Sequence, residues 1–207
     1  QGVSSAASDV YKRQGHTLEM GGEAGMAMLN THIAGTVASL TWMALDWIRL
    51  GKPTLLGIIT GLLAGLGMVS AGAGHLSPGG AFITGILASL ISQPAIHWIR
   101  QRLEIDDALD IFAVHGLTGL VGAITVVFLS WEGLGTGPIA LPSPWLHQMG
   151  AQLAAACAVL LYSAGLTHGL FLAIDRWMPL RVEADEEMEG LDLTELKSQA
   201  YHFDDKR

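Results

Sequence analysis

Between Pro53 and Ile99 the chain carries no Asp, Glu, Lys or Arg. Across all 207 residues the charged share is only 14%, against about a quarter in ordinary soluble domains. A neutral stretch of that length lacks the solvated faces that a soluble fold needs. Cysteine is almost missing as well. Cys157 is alone and sits inside an apolar run, so the chain has no internal disulfide, and the thiol reads as a small membrane-core residue. No basic stripe runs along any segment, which excludes nucleic acid as a partner. There is no HExxH and no paired histidine at helical spacing, so neither a metal nor another cofactor is expected, and nothing marks an enzyme.

What is present points to a bilayer. Half of the residues are apolar and 26 are glycine. Glycine weakens soluble helices but is tolerated in membrane helices, where it lets backbones approach closely. The net charge of −8 mostly reflects the C-terminal tail, where Val182 to Arg207 holds nine acids. A long neutral stretch beside a charged tail reads as membrane plus cytosol. Residues 1–14 (QGVSSAASDVYKRQ) are small, polar and unlike the long apolar runs of the rest of the chain. They read as a non-native leader and are set aside from fold reasoning.

A spanning helix needs about 20 predominantly apolar residues. Five stretches qualify, at roughly 25–50, 54–72, 79–99, 108–130 and 149–174. Turn residues connect them: GKP, GAGHLSPGG and GLGTGPIALPSP. The fold class expected is therefore all-α, a polytopic transmembrane helical bundle. Basic residues then fix the orientation. Arg49 and Lys52, Arg100 and Arg102, and Arg176 and Arg181 occupy alternate connections, and the other connections carry none. The N-terminal end is expected outside and the tail in the cytoplasm.

Gly57, Gly61 and Gly65 recur every fourth position, which predicts a close helix–helix contact. The tryptophans read as interfacial anchors, with Trp47, Trp98, Trp131, Trp145 and Trp177 near helix ends and Trp42 about two turns in. Ionisable groups inside a span are costly and are functional candidates by default. Asp46 and Asp175 lie near inner helix ends and read as solvated. His32, His97 and His168 read as neutral histidines packed against neighbouring helices.

His115 differs. Asp106 and Asp107 suit the N-cap and first turn of its helix, which places His115 about 12 Å into a core of roughly 30 Å. That is too deep to reach the interface, so the imidazole faces either protein or a pore. Ile111 and Gly119 flank it one turn away on the same face. The residues alone support a structural histidine and a pore histidine equally.

The stretch DDALDIFAVHGLTGLVG, residues 106–122, resembles the signature DDxxDxFxVHGxxGxxG of the Amt/Mep ammonium transporters. Three further blocks resemble the same family in the same order: NTHIAGTVASLTWMALDWIRLGKPTLLG, AGLGMVSAGAGHLSPGGAFITG and LRVEADEEMEGLDL. The resemblance covers residues 15–201 and implies helices seven to eleven of an eleven-helix fold, followed by a cytoplasmic tail. Residues 15–176 would be the transmembrane domain and 177–207 the tail. His115 would be the second of twin pore histidines, with Ile111 an apolar pore position. Asp110, Phe112, Gly116 and Gly119 match the motif around them. The first histidine and the outer binding site belong to earlier helices, so the chain is expected to be a fragment.

The resemblance further implies ammonium or ammonia as substrate, a homotrimer and residence in the plasma or inner membrane. The stretch Val182–Asp192, ending in Gly190, Leu191 and Asp192, would dock a PII-type regulator, or else be a solvated extension. Three alternatives are a different helical transporter or channel, a membrane metalloprotein using His32, His97, His115 and His168, and an ammonium sensor.

Overall fold

A computed structural model describes residues 22–103, 107, 109–129 and 145–178. Helix α1 spans Gly22–Leu50, α2 Leu55–Val69 and α3 Pro78–Trp98. Helix α4, Thr118–Leu129, is entered through a π-helical segment at Phe112–Leu117, and α5 runs from Trp145 to Asp175. No strand occurs among the described residues. The protein is an all-α, polytopic helical membrane protein. Among the described residues three helices, Pro78–Arg102, Phe112–Leu129 and Leu146–Asp175, are long and apolar enough to cross a bilayer. Helix α1 has the length, and α2 is apolar but only 15 residues long.

Local chemistry sets the helix ends. Gly51, at φ +74°, ends α1, and its amide returns to the Trp47 carbonyl at 3.1 Å. That left-handed cap suits glycine, and Pro53 prevents the helix from resuming. The Thr54 hydroxyl accepts from the Gly57 amide at the start of α2. The Ser77 hydroxyl accepts from the Gly80 amide at the start of α3, where Pro78 fills the first turn. Helix α3 contains Pro94 and ends in a second π-helical turn, Ile99–Leu103.

The chain divides into two compact units, 1–156 and 157–207. In the first, the core is built from small residues, among them Ala34, Ala38, Ala64, Ala88 and Ala113. Lipid offers no hydrophobic drive between helices, so close packing and hydrogen bonds must join them. The predicted glycine ladder provides the packing. A Cβ on Gly61 would lie 2.9 Å from the Ala38 carbonyl oxygen, and one on Gly65 would lie 2.5 Å from that of Ala34. Gly57 faces Asp46 and the Trp42 indole, and Gly122 of α4 presses on the Met68 backbone. Hydrogen bonds add to this. Ser89 of α3 donates to the Ala38 carbonyl at 2.7 Å, and Ser39 of α1 donates to that of Ile58 at 3.1 Å. Asn30, fully buried, donates to both Ala73 and Leu76 carbonyls and so ties α1 to the turn between α2 and α3. In the second unit every described side chain, Cys157 to Met178, is exposed.

Several expectations change. Trp42 is buried against Gly61 rather than held at an interface, because the glycine leaves room for its ring. Trp47, Trp98 and Trp177 are exposed at helix ends, as anchors would be. Asp46 is 4% exposed and is not solvated, because two donors from neighbouring elements satisfy it. His32, His97 and His168 are exposed among the described residues, not packed between helices.

Candidate functional site

The segment carrying His115 begins with a cap rather than with the helix expected from residue 108. Asp107 accepts from two backbone amides, Ile111 N at 2.9 Å and Phe112 N at 2.8 Å. Its carboxylate thus meets the positive end of the helix, as the sequence suggested, but the helix starts later. Asp110 stands in the left-handed region at φ 54°, which breaks the helix before Ile111. Its amide donates to the Asp107 carbonyl at 3.1 Å, and its own carbonyl accepts from Val114 N at 2.9 Å. The later start places His115 about 6 Å from the helix origin, half the distance inferred from sequence.

The next turns, over Phe112–Leu117, are π-helical. Such widened turns are rare and recur at functional sites. Each turn holds more residues than an α-turn, so the fourfold spacing of Ile111, His115 and Gly119 no longer guarantees a common face. Burial settles where they lie. Ala113, Val114, Thr118, Gly122 and Val126 are buried, with Gly67 of α2 against Thr118 and the Val114 carbonyl. Ile111, Phe112, His115 and Gly116 are exposed, and a Cβ on Gly119 would meet nothing within 4 Å. The Phe112 ring lies over Gly116, 3.4 Å from where a Cβ would stand. Five of the predicted site residues therefore lie on the unpacked side of one helical segment, with a single imidazole in otherwise apolar company.

Asp110 belongs to a different arrangement. The Arg100 guanidinium binds it in a fork, Nε to Oδ1 and Nη2 to Oδ2, each at 2.8 Å. Sequence reasoning named Asp110 but missed its partner. It also missed the node at Asp46, where Thr54 Oγ1 donates at 2.6 Å and Gln93 Nε2 at 2.9 Å. The signal for Arg100 was its place in a short basic connection just before the DDxxD stretch. Among the described residues no cluster of three or more His, Cys, Asp or Glu side chains could hold a metal ion. Gly190, Leu191 and Asp192 lie outside the described residues, as do Asp106 and Trp131.

The profile described as Ammonium Transporter Family matches residues 7–201. The chain belongs to the ammonium transporter family. An ammonium transporter from Aquifex aeolicus is 36% identical over 176 residues, covering 84% of this chain and 41% of the relative. Ammonium transporter Amt1 from Archaeoglobus fulgidus is 34% identical, covering 84% of this chain and 44% of the relative. Among solved structures, one titled Sensor Amt Protein superposes with a TM-score of 0.75 at 27% identity, covering 86% of this chain and 44% of that one. The chain thus spans less than half the length of these members of the ammonium transporter family, and the resemblance carried by the motif around His115 extends over nearly the whole chain.

Proposed function

We propose that this chain contributes to transmembrane passage of ammonium as ammonia, with Ile111 and His115 on the conduction path. The observation that carries the reading is the unpacked face of the wide turn, where one imidazole stands among apolar side chains. An unpaired cation in an apolar tube is prohibitively costly, whereas neutral ammonia loses only hydrogen bonds. An imidazole restores some of them, since it donates from one nitrogen and accepts at the other. Ammonium gives up its proton to water at the outer mouth, ammonia passes along the histidines, and it takes up a proton from water again on the inner side. His115 is the second of a pair whose first member lies on helices outside this chain.

In this reading the N-terminal end faces outward and the tail faces the cytoplasm of a plasma or inner membrane, as the alternation of basic connections supports. Residues 15–176 form the membrane domain of a homotrimer, and residues 177–207 a tail that meets a PII-type protein. The similarity to a protein titled Sensor Amt Protein favours ammonium sensing as a second reading.

Uptake of ammonium into proteoliposomes tests the proposal, using a protein restored to the full length of the relatives. Saturable ammonium flux that depends on His115 supports conduction. Ammonium binding without flux supports the sensor, and neither binding nor flux would overturn both. The 207-residue chain alone is expected not to rescue growth of a transporter-deficient cell on ammonium.

A further inference from the structure

We propose that Arg100 and Asp110 form a positioning latch that sets how the His115 imidazole is presented. The inference rests on the reading of His115 as a conduction residue, but it concerns a different part of the fold. His115 makes no hydrogen bond or ion pair with the described residues, so its direction follows from the backbone that carries it. That backbone is strung between two fixed points. On the far side, Thr118 is buried against Gly67 of α2, and its hydroxyl donates to the Val114 carbonyl. On the near side the fixed point is Asp110.

Asp110 holds a left-handed conformation at φ 54°. That conformation is strained for a non-glycine residue, although the short polar side chain of Asp can offset part of the strain by local bonding. Here the side chain is bound at both oxygens by one guanidinium. The fork fixes direction as well as distance, which a single ammonium contact does not. With Asp110 held, its carbonyl is aimed at Val114 N, and its amide at the Asp107 carbonyl. Asp107 in turn holds the amides of Ile111 and Phe112. The start of the wide turn is therefore determined residue by residue from Asp110.

Arg100 is itself on a π-helical turn, Ile99–Leu103, at the end of α3. The latch thus joins two widened turns, and a shift at the end of α3 is passed to the turn that carries His115. The ion pair is half open to solvent, with Arg100 51% and Asp110 17% exposed, so a change of charge nearby can reach it.

The test uses this 207-residue chain in detergent micelles and needs no transport. Diethyl pyrocarbonate modifies exposed imidazoles, and mass spectrometry reads the rate at each histidine. His32 and His168, both exposed, serve as internal references. Arg100→Gln and Asp110→Asn are expected to change the His115 rate about fivefold relative to those references, with similarly faster amide exchange at residues 114–118. Asn tolerates the left-handed backbone, so Asp110→Asn removes the charge without forcing a new turn. Arg100→Lys, which keeps the charge and loses the fork, is expected to fall between wild type and Arg100→Gln. An unchanged His115 rate in folded variants would overturn the latch. A change shared equally by His32 and His168 would also overturn it, because it would mean general loosening. Flux in the restored full-length protein tests the conduction reading separately.

Discussion

Gln93 of α3 reaches across to Asp46 of α1 and donates from Nε2 to Oδ1 at 2.9 Å, while Thr54 Oγ1 donates to Oδ2 at 2.6 Å. One buried carboxylate therefore joins three elements: α1, the cap of α2, and α3. The Thr54 hydroxyl that donates to it also accepts from Gly57 N, so the helix cap and the carboxylate form one network. Removing the carboxylate strands the half-buried Gln93 amide donor as well as loosening the cap. Asp46→Leu is expected to cost about 2–4 kcal/mol, and Asp46→Asn less, because an amide can still accept at one oxygen. Thermal unfolding in detergent reads both. Equal losses for the two variants would show that a single accepting oxygen contributes nothing at this position, contrary to the prediction.

The second prediction separates glycines that look alike in the sequence. Gly65 lies against the Ala34 carbonyl, whereas Gly119 faces open space. Gly65→Leu is expected to push α1 and α2 apart and to destabilise the protein by about 1–3 kcal/mol or more. Gly119→Ala is expected to be neutral, or stabilising by up to about 1 kcal/mol, because alanine is the better helix former. Melting temperatures of the two variants check this. A Gly65→Leu protein as stable as wild type would contradict the packing of α2 on α1.

The third prediction concerns His115 in a protein restored to full family length. The side chain is exposed here, so its replacement should leave folding intact while conduction changes. His115→Leu is expected to lower ammonium flux by removing the hydrogen-bonding group. His115→Asp is expected to abolish flux or to admit potassium, since a carboxylate pairs with a cation. Ammonium and potassium flux in proteoliposomes, with melting temperature as a control, decides the matter. Wild-type flux and selectivity in a folded His115→Asp protein would remove His115 from the path.

The tail supplies the fourth. Deletion from Val182 onward in the restored protein is expected to abolish retention of a PII-type regulator in a pull-down, leaving the membrane domain folded. Equal retention with and without the tail would reject docking there.

The helices were legible because a bilayer demands long apolar runs, and their ends because Gly51, Thr54 and Ser77 act within a few residues of their own positions. Asp107 was legible as a cap for the same reason. The start of the His115 helix was not, because Asp110 stops it through a contact with Arg100 on another element. Asp46 was misread because its partner Gln93 lies 47 positions away and a carboxylate near a helix end looks solvated in sequence. The wide turn at Phe112–Leu117 escaped because apolar spacing cannot distinguish it from an α-turn across so few residues. His32, His97 and His168 read as packed because depth along an apolar segment says nothing about which side of the helix has a neighbour.

The wide turn has a consequence for how this stretch tolerates insertions and deletions. A π-helical segment accommodates surplus residues that an α-helix of the same rise would not hold. Removing one residue between Phe112 and Leu117 would let the segment relax toward an α-helix, with Thr118, Gly122 and Val126 still seated against α2. The same deletion within Thr118–Leu129 would turn that buried row away from its partner by about 100°. A single-codon loss is therefore expected to be survivable on one side of Thr118 and ruinous on the other, and the residue it would displace on the survivable side is His115.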